Sequence, residues 1–272
     1  MFRDEFKVRY TTIPFAIYRA HYAYRAKEGF PHQHREAEVI SVTEGMADFY
    51  INAQHYQVNK GELLLIPPYA IHSAFVAGDS VTSYYCICFD LMLLCDEELI
   101  NGLEDGTLSA ACPRFSKDPE AARYVEQAFL ACERQDKGWE LKAVGNMSLL
   151  FGKLKQEETF VTNLQGQKER QFGKDVMDYV STHFAEEISS RTAAEALFLD
   201  QSYFCRLFKQ NFGCCFAEYM SAYRLEKAKL LLKNSRLPVS EIAFQTGFNS
   251  SSYFCKAFKE RLGISPLHYR KE

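Results

Sequence analysis

The sequence predicts two domains: an all-β barrel or sandwich followed by a pair of helices, then an all-α domain with two helix-turn-helix units. Three observations predict this. Short segments rich in β-branched and aromatic residues, each bounded by turn residues, fill the front of the chain. From Pro119 the apolar residues recur at helical spacing. The octapeptide SYFCRLFK at Ser202 returns fifty residues on as SYFCKAFK at Ser252, the mark of a duplicated module. A length of 272 residues suits two domains. Disorder is excluded by 47% apolar residues, 22 Phe, 16 Tyr and a net charge of only −3.

The front strands are expected at Ile13–Tyr24, Ala37–Val42, Ala47–Ile51, Glu62–Ile66 and Ser83–Phe89. Turn residues separate them at 29–31, Glu44-Gly45, 59–61, Pro67-Pro68 and Gly78-Asp79. Two helices follow. One carries Ala121, Val125, Ala128, Phe129 and Cys132; the other carries Leu141, Val144, Met147, Ser148, Phe151 and Leu154. Val125, Phe129, Leu141, Val144, Phe151 and Leu154 are expected to form a homodimer interface. The polar stretch 159–171 reads as a linker, between a front domain at 1–158 and a back domain at 172–272. Charge divides in a similar way: net +4 from Arg170 onward and net −7 before it.

No apolar run approaches the about 20 residues of a membrane span. The N-terminal MFRDEFKVRY lacks the apolar core of a signal peptide. Nine cysteines without a zinc-type pair point to reduced thiols in a cytoplasm.

One constellation in the front half has chemical potential: His32, His34, Glu38 and His72. On an extended strand positions 32, 34 and 38 share a face. Two imidazoles and a carboxylate, met by a third His, would suit a divalent transition metal. The expectation is a polar effector pocket with no cofactor, and a divalent metal is the alternative. Arg19, His21 and Tyr84 are added as pocket residues by strand position. The spacing resembles the two motifs of the cupin barrel: H-x-H-x3-E-x6-G from His32 to Gly45, and G-x5-P from Gly61 to Pro67 with His72 five residues on. Ala26 replaces the leading Gly of the first motif, and Tyr69 and Val76 replace the Gly and Asn of the second.

In the back half each repeat reads as helix, turn, helix. Gly247 supplies the second break; Phe198-Leu199 forms a first break that lacks Gly and should turn differently. Asp200, and Asn249 or Ser250, are the expected caps. The second helix of such a unit enters the DNA major groove. Tyr203, Phe204, Leu207 and Phe208, with Tyr253, Phe254, Ala257 and Phe258, are expected to face inward. Gln201, Ser202, Cys205, Arg206 and Lys209 then face outward, as do Ser251, Ser252, Cys255, Lys256 and Lys259, with Ser250 beside them. These polar residues are the candidate DNA contacts. The linking helix, 216–234, would be about 28 Å long. That is close to the about 34 Å between successive major-groove turns.

Four segments carry a closer resemblance: Tyr223–Leu232, Val239–Phe248, Ser252–Lys259 and Gly263–Arg270. Together they resemble the paired helix-turn-helix domain of AraC/XylS-type bacterial transcription regulators. The front half is similar to the cupin-like sensor domain of many such proteins. The resemblance implies a cytoplasmic regulator, commonly an activator that works with RNA polymerase. Its barrel would take a small molecule, often a sugar, and its partner would be double-stranded DNA. By the family's pattern Ser202, Arg206, Ser251, Ser252 and Lys256 fall at base-reading positions. Cys205 and Cys255 stand where Ser, Thr or Gln are common, and Gln201 and Ser251 where Pro is frequent. A metal-dependent cupin enzyme and a thiol redox sensor are the rival readings; no enzymatic activity is expected.

Overall fold

The structure, a computed structural model, describes residues 2–10, 13–22, 31–75, 81–115 and 118–271. It forms two compact units, Met1–Gly173 and Lys174–Glu272.

The first unit runs β1 (Phe2–Arg9), β2 (Phe15–Tyr22), β3 (Ala37–Glu44), β4 (Met46–Ile51), β5 (Gln54–Asn59), β6 (Leu63–Ile66), β7 (His72–Phe75), β8 (Thr82–Phe89), α1 (Glu97–Asp105), β9 (Leu108–Ala110), β10 (Arg114–Phe115), α2 (Pro119–Arg134), α3 (Trp139–Gln156) and β11 (Phe160–Thr162). Hydrogen bonds sort most of these strands into two antiparallel sheets. One has six strands in the order β1-β2-β8-β3-β6-β10; the other has three, β5-β4-β7. Among the described residues the sheets face each other without closing into a barrel. The consecutive strands β3 and β4 bond to different partners, β8 and β6 for the first and β5 and β7 for the second, so each sheet keeps its own edges. Gly45 makes the corner between them. Its φ is +68°, and the Val81 carbonyl occupies the place of a Cβ.

The six-stranded sheet is buried on both faces. Ile40, Val42, Leu64, Ile66, Tyr84 and Cys86 meet Ala47, Phe49, Ile51 and Val58 of the smaller sheet. The opposite face, with Phe15, Ile17, Val39, Leu65, Ile87 and Phe89, packs on Val125, Phe129, Met147 and Phe151 of α2 and α3. Burial on both sides explains six consecutive buried residues in β3. Of the six positions expected at a dimer interface, Val125, Phe129, Phe151 and Leu154 belong to this internal core. The first helix starts at Pro119, where the sequence marks it, with Asp118 as its cap; Gly138, in a left-handed conformation, precedes α3.

Residues 159–171, expected as a linker, hold β11, which pairs with β9, and the first turns of α4 (Leu164–His183). Strand β11 has only three residues and takes its order from β9, which its own polar flanks do not signal. No helix among the described residues is long and apolar enough to cross a membrane.

The second unit continues from α4 into α5 (Ser190–Ala196), α6 (Gln201–Phe212), α7 (Phe216–Asn234), α8 (Val239–Gln245), α9 (Ser251–Leu262) and α10 (Pro266–Lys271). The duplicated octapeptides lie in α6 and α9. Asp200 accepts from the Ser202 and Tyr203 amides, and Ser250 from the Tyr253 amide, so both expected caps form. Gly213 and Gly263 end the two helices in left-handed conformation. Phe204 and Phe208 in one copy, and Phe254 and Phe258 in the other, are fully buried.

The first break does not differ from the second. Phe198 adopts φ +56°, the same left-handed state as Gly247 at +83°. The bonds match as well: Phe198 N–H to Glu195 O (3.1 Å) and Leu199 N–H to Ala194 O (2.9 Å) correspond to Gly247 N–H to Phe244 O (3.0 Å) and Phe248 N–H to Ala243 O (2.9 Å). An L-residue there costs about 1–2 kcal/mol, and Phe198 recovers little by packing, being 96% exposed. Phe198→Gly is therefore expected to stabilise the protein by about 0.5–1 kcal/mol after the glycine's extra chain entropy. Denaturant unfolding checks this; a lower midpoint would mean that the ring makes a stabilising contact.

Candidate effector cluster and DNA-reading surface

His32, His34, Glu38 and His72 come together in the first unit. Register places them. Glu38 in β3 lies opposite Ile66 and Cys88, and His72 opens β7 opposite Ile51. His32 is bridged to His72 by reciprocal backbone bonds of 3.0 and 2.8 Å. One ligand-type atom from each of the four lies within 4.8 Å of the others. Glu38 and His72 are buried, His34 is half-buried and His32 is exposed, so the set opens to solvent on the His32 side.

The polarity of the set is unusual. His34 Nδ1 lies 3.0 Å from the Glu36 carbonyl, and His72 Nδ1 lies 2.9 Å from the Ala70 carbonyl. A carbonyl only accepts, so each Nδ1 carries a proton. Both Nε2 atoms then point at Glu38: His34 at 2.8 Å from Oε1 and His72 at 3.6 Å from Oε2. A carboxylate also only accepts. Two nitrogen lone pairs facing it would repel it, so positive charge belongs between them, as protons or as a metal ion. Burial alone would push the Glu38 carboxyl up, but the charges and hydrogen bonds of His72 and His34 outweigh it and hold Glu38 well below its ordinary value. Burial likewise disfavours charge on His34, and the Glu38 hydrogen bond and charge, with Glu36, raise it in spite of that.

Two neighbours were not anticipated. Cys88 Sγ donates to Glu38 Oε1 at 3.1 Å, with Cys86 Sγ 3.8 Å from that sulfur. Strand parity puts 84, 86 and 88 on one face, but only the β3–β8 register brings Cys88 to Glu38. Gln33, between two of the histidines, donates from Nε2 to the Gly173 carbonyl of α4 at 3.3 Å. A Cβ on Gly173 would lie 3.1 Å from Ile71 Cδ1 and 3.3 Å from Gln33 Oε1. The last residue of the first unit thus rests on the sequence neighbours of His32, His34 and His72.

The remaining pocket candidates lie elsewhere. Arg19 is on the helix-facing side of the large sheet, between the Tyr85 and Phe129 rings (5.3 and 5.2 Å), and pairs with Glu133 at 2.9 Å. Tyr84 is buried in the inter-sheet core beside Phe49. His21 belongs to β2 opposite Ser83, and its side chain is outside the described residues, as are Ala26 and Val76. Apolar side chains pack between the sheets, and Ile66 and Ile51, which lie opposite Glu38 and His72, place the polar set beside that core. No disulfide joins any of the nine cysteines. The hydrogen bond to Cys88, with burial, pushes the Cys86 thiol well up, and burial pushes Cys132 up to about 12, which leaves both as unreactive thiols.

On the second unit Gln201, Ser202, Cys205, Arg206 and Lys209 are exposed along α6. On α9 Ser252, Lys256 and Lys259 are exposed, while Ser251 and Cys255 are half-buried; Ser250 is exposed at the cap. Tyr203 and Tyr253, expected inside, are 45% and 58% exposed. The pairs Phe204/Phe208 and Phe254/Phe258 already define the buried stripe, and a residue one position earlier is rotated by about 100° to its edge. Tyr203 carries the Arg206 guanidinium 5.4 Å from its ring centre, whereas Lys256 lies 3.9 Å from Glu260.

The family model of the AraC-like ligand-binding domain matches residues 13–151, and a helix-turn-helix domain model matches 193–272. The chain is 26% identical to the transcriptional activator RhaS of Salmonella arizonae over 89% of its own length and 88% of the relative's. It is 23% identical to the melibiose operon regulatory protein of Escherichia coli K12, over 96% and 92%. It is 24% identical to the Bacillus subtilis regulator YdeC, over 88% and 85%. Among solved structures, ToxT from Vibrio cholerae has a similar fold, with a TM-score of 0.57 at 16% identity, covering 95% of this chain and 98% of that one.

Proposed function

The chain belongs to the AraC family of helix-turn-helix transcription regulators, and on that premise we propose that it is an effector-responsive activator that reads DNA through α6 and α9. It joins a DNA-binding module to a ligand-binding module. The observation that carries the reading is the pair of accessible polar faces on two equivalent, equally capped helices. Gln201, Ser202 and Arg206 in one, and Ser251, Ser252 and Lys256 in the other, reach base edges; Lys209, Lys259 and Ser250 meet phosphates. The effector is a small polar molecule held at His32, His34, Glu38 and His72. The carbohydrate class is favoured because one relative is named for the melibiose operon. The name of RhaS as an activator supports activation through RNA polymerase.

A duplex obtained by selection on the purified chain, followed by a carbohydrate panel scored for a change in its affinity, tests this. His34→Ala and Glu38→Ala should each abolish the response while DNA binding without effector stays within about twofold. An unchanged response in both variants would remove the cluster from the effector site.

A homodimer through α3 fits the surface better than one through the buried positions. Leu141 and Leu149 are 81% and 56% exposed, on a stripe with Gly145, Ser148 and Gly152. A Cβ added at Gly145 or Gly152 meets nothing within 4 Å, so a second helix could approach closely there. Leu149→Glu should shift sedimentation at tens of micromolar from dimer to monomer without lowering the melting temperature. A wild-type chain that sediments as a monomer at that concentration would end this assignment.

A further inference from the structure

We propose that the Phe198 ring is a specificity-determining contact: it packs on the C5-methyl group of a thymine in the major groove, on the flank of the base pairs that Gln201 and Ser202 read. The inference rests on reading α6 as a DNA-reading helix, and it adds an apolar contact that the polar residues of that helix do not make.

Three observations carry it. The first is that Phe198 is anomalous in two ways. Among the described residues six non-glycine positions have positive φ, and Phe198 is the exposed aromatic residue in that set. A bulky side chain in this region is a conformational outlier. At 96% Phe198 is also the most exposed large apolar residue among those described. Neither the backbone nor the ring gains from this in the free protein, and backbone strain of this kind collects where a ligand is met.

The second is position. The N-terminal residues of a recognition helix are the ones that contact base edges. Phe198 lies three residues ahead of Gln201, which opens α6, and Gln201 and Ser202 are exposed on that first turn. The Asp200 side chain, accepting from the Ser202 and Tyr203 amides, fixes the turn to the helix start. Three residues of chain span at most about 11 Å, or about three base-pair steps of about 3.4 Å. A ring placed there while α6 occupies the groove meets the edge of a neighbouring base pair. The thymine methyl is the apolar group displayed on those edges, and an apolar side chain is its complement.

The third is that the second copy has no room for such a contact. Gly247 stands at the equivalent turn, and a Cβ there would lie 2.6 Å from the Phe184 carbonyl oxygen and 2.8 Å from Arg224 Nε. Arg224 is held in that place: Nε donates to the Phe184 carbonyl at 2.8 Å and Nη2 to the Glu186 carbonyl at 2.7 Å. The second turn is therefore closed by the segment after α4 and by α7, whereas the first opens to solvent. The methyl contact belongs to the α6 half of the site alone and gives the site a direction.

The experiment uses the full chain and the duplex selected on it. Each thymine is replaced in turn by deoxyuridine, which lacks only the methyl group. One replacement, flanking the bases whose preference Arg206→Ala relaxes, is expected to weaken wild-type binding about fourfold, the value of one buried methyl group. Phe198→Gly and Phe198→Asn, which place residues that accept the left-handed turn, should bind the thymine and deoxyuridine duplexes equally. Phe198→Gly should thus lose DNA affinity while gaining the stability expected above, a combination that a purely structural role for the ring does not produce. A flat deoxyuridine scan on the wild-type chain overturns the contact, as does the same fourfold loss in both variants. Unchanged DNA binding by Phe198→Gly, with reduced transcription from the same duplex by added RNA polymerase, overturns it in favour of a protein partner for the ring. Arg206→Ala separates the two readings. If that variant leaves specific binding unchanged, the reading of α6 fails; if it weakens specific binding as expected while the scan stays flat, the Phe198 contact alone fails.

Discussion

Arg206→Ala is expected to cost about 1–3 kcal/mol on the selected duplex, about 10- to 100-fold in affinity, and to relax base preference in one half of the site. The guanidinium is a planar fork that can bridge two acceptors of a guanine, and the Tyr203 ring, 5.4 Å away, limits the conformations it must give up on binding. Lys256 differs in both respects. It is a point charge on a flexible stem, and Glu260 lies within 3.9 Å to compete for it. Lys256→Ala should therefore weaken binding with less loss of preference. Lys209 and Lys259, one helical turn further on, should each change affinity alike for all sequences and lower the salt slope by about one unit. Titrations of each variant against specific and scrambled duplexes at several salt concentrations separate these behaviours. Equal weakening of both duplexes by Arg206→Ala would make Arg206 a phosphate contact.

Phe208→Ala should remove about 3–5 kcal/mol of stability, a large share of the about 5–15 kcal/mol that holds a typical domain folded. Phe208 is fully buried. Its ring stacks on Phe212 at 4.1 Å and meets Phe204, Phe216 and Tyr219 at 5.7, 5.3 and 5.5 Å. Four rings held by their mutual packing cannot collapse into the space it leaves, so the cavity cost adds to the lost burial. The equivalent Phe258 meets two rings, Phe254 at 5.6 Å and Tyr269 at 5.5 Å. Phe258→Ala should fall at the lower end of the same range, because smaller aliphatic neighbours such as Ala243 and Leu232 can close in. Chemical denaturation of both variants, followed by far-ultraviolet circular dichroism, gives the comparison. A loss under about 1.5 kcal/mol for Phe208→Ala would show that the aromatic cluster relaxes around the gap.

The sequence by itself determined the two-unit plan, the duplicated helix-turn-helix, both caps, the buried Phe pairs and the grouping of His32, His34, Glu38 and His72. These features are legible because each rests on a local signal: a 3.6-residue period, a cap three residues from its target, a repeat, a motif spacing. Tertiary structure alone decided the rest. Arg19 and Tyr84 both read as pocket residues, yet the β2–β8 register pairs Arg19 with Tyr85, and a one-residue step in parity sends Arg19 to the helix side. Register likewise brought Cys88 to Glu38. The apolar period of α3 showed that a face would be buried, but the sheet behind it settled that Phe151 and Leu154 face inward and Leu141 and Leu149 outward. The left-handed turn at Phe198 is invisible in a sequence without Gly, because the packing of the surrounding helices imposes that conformation on a residue whose own preference opposes it. Local preferences amount to at most a kcal/mol or two per residue, so wherever a buried interface outweighs them, the contacts between distant segments set the geometry.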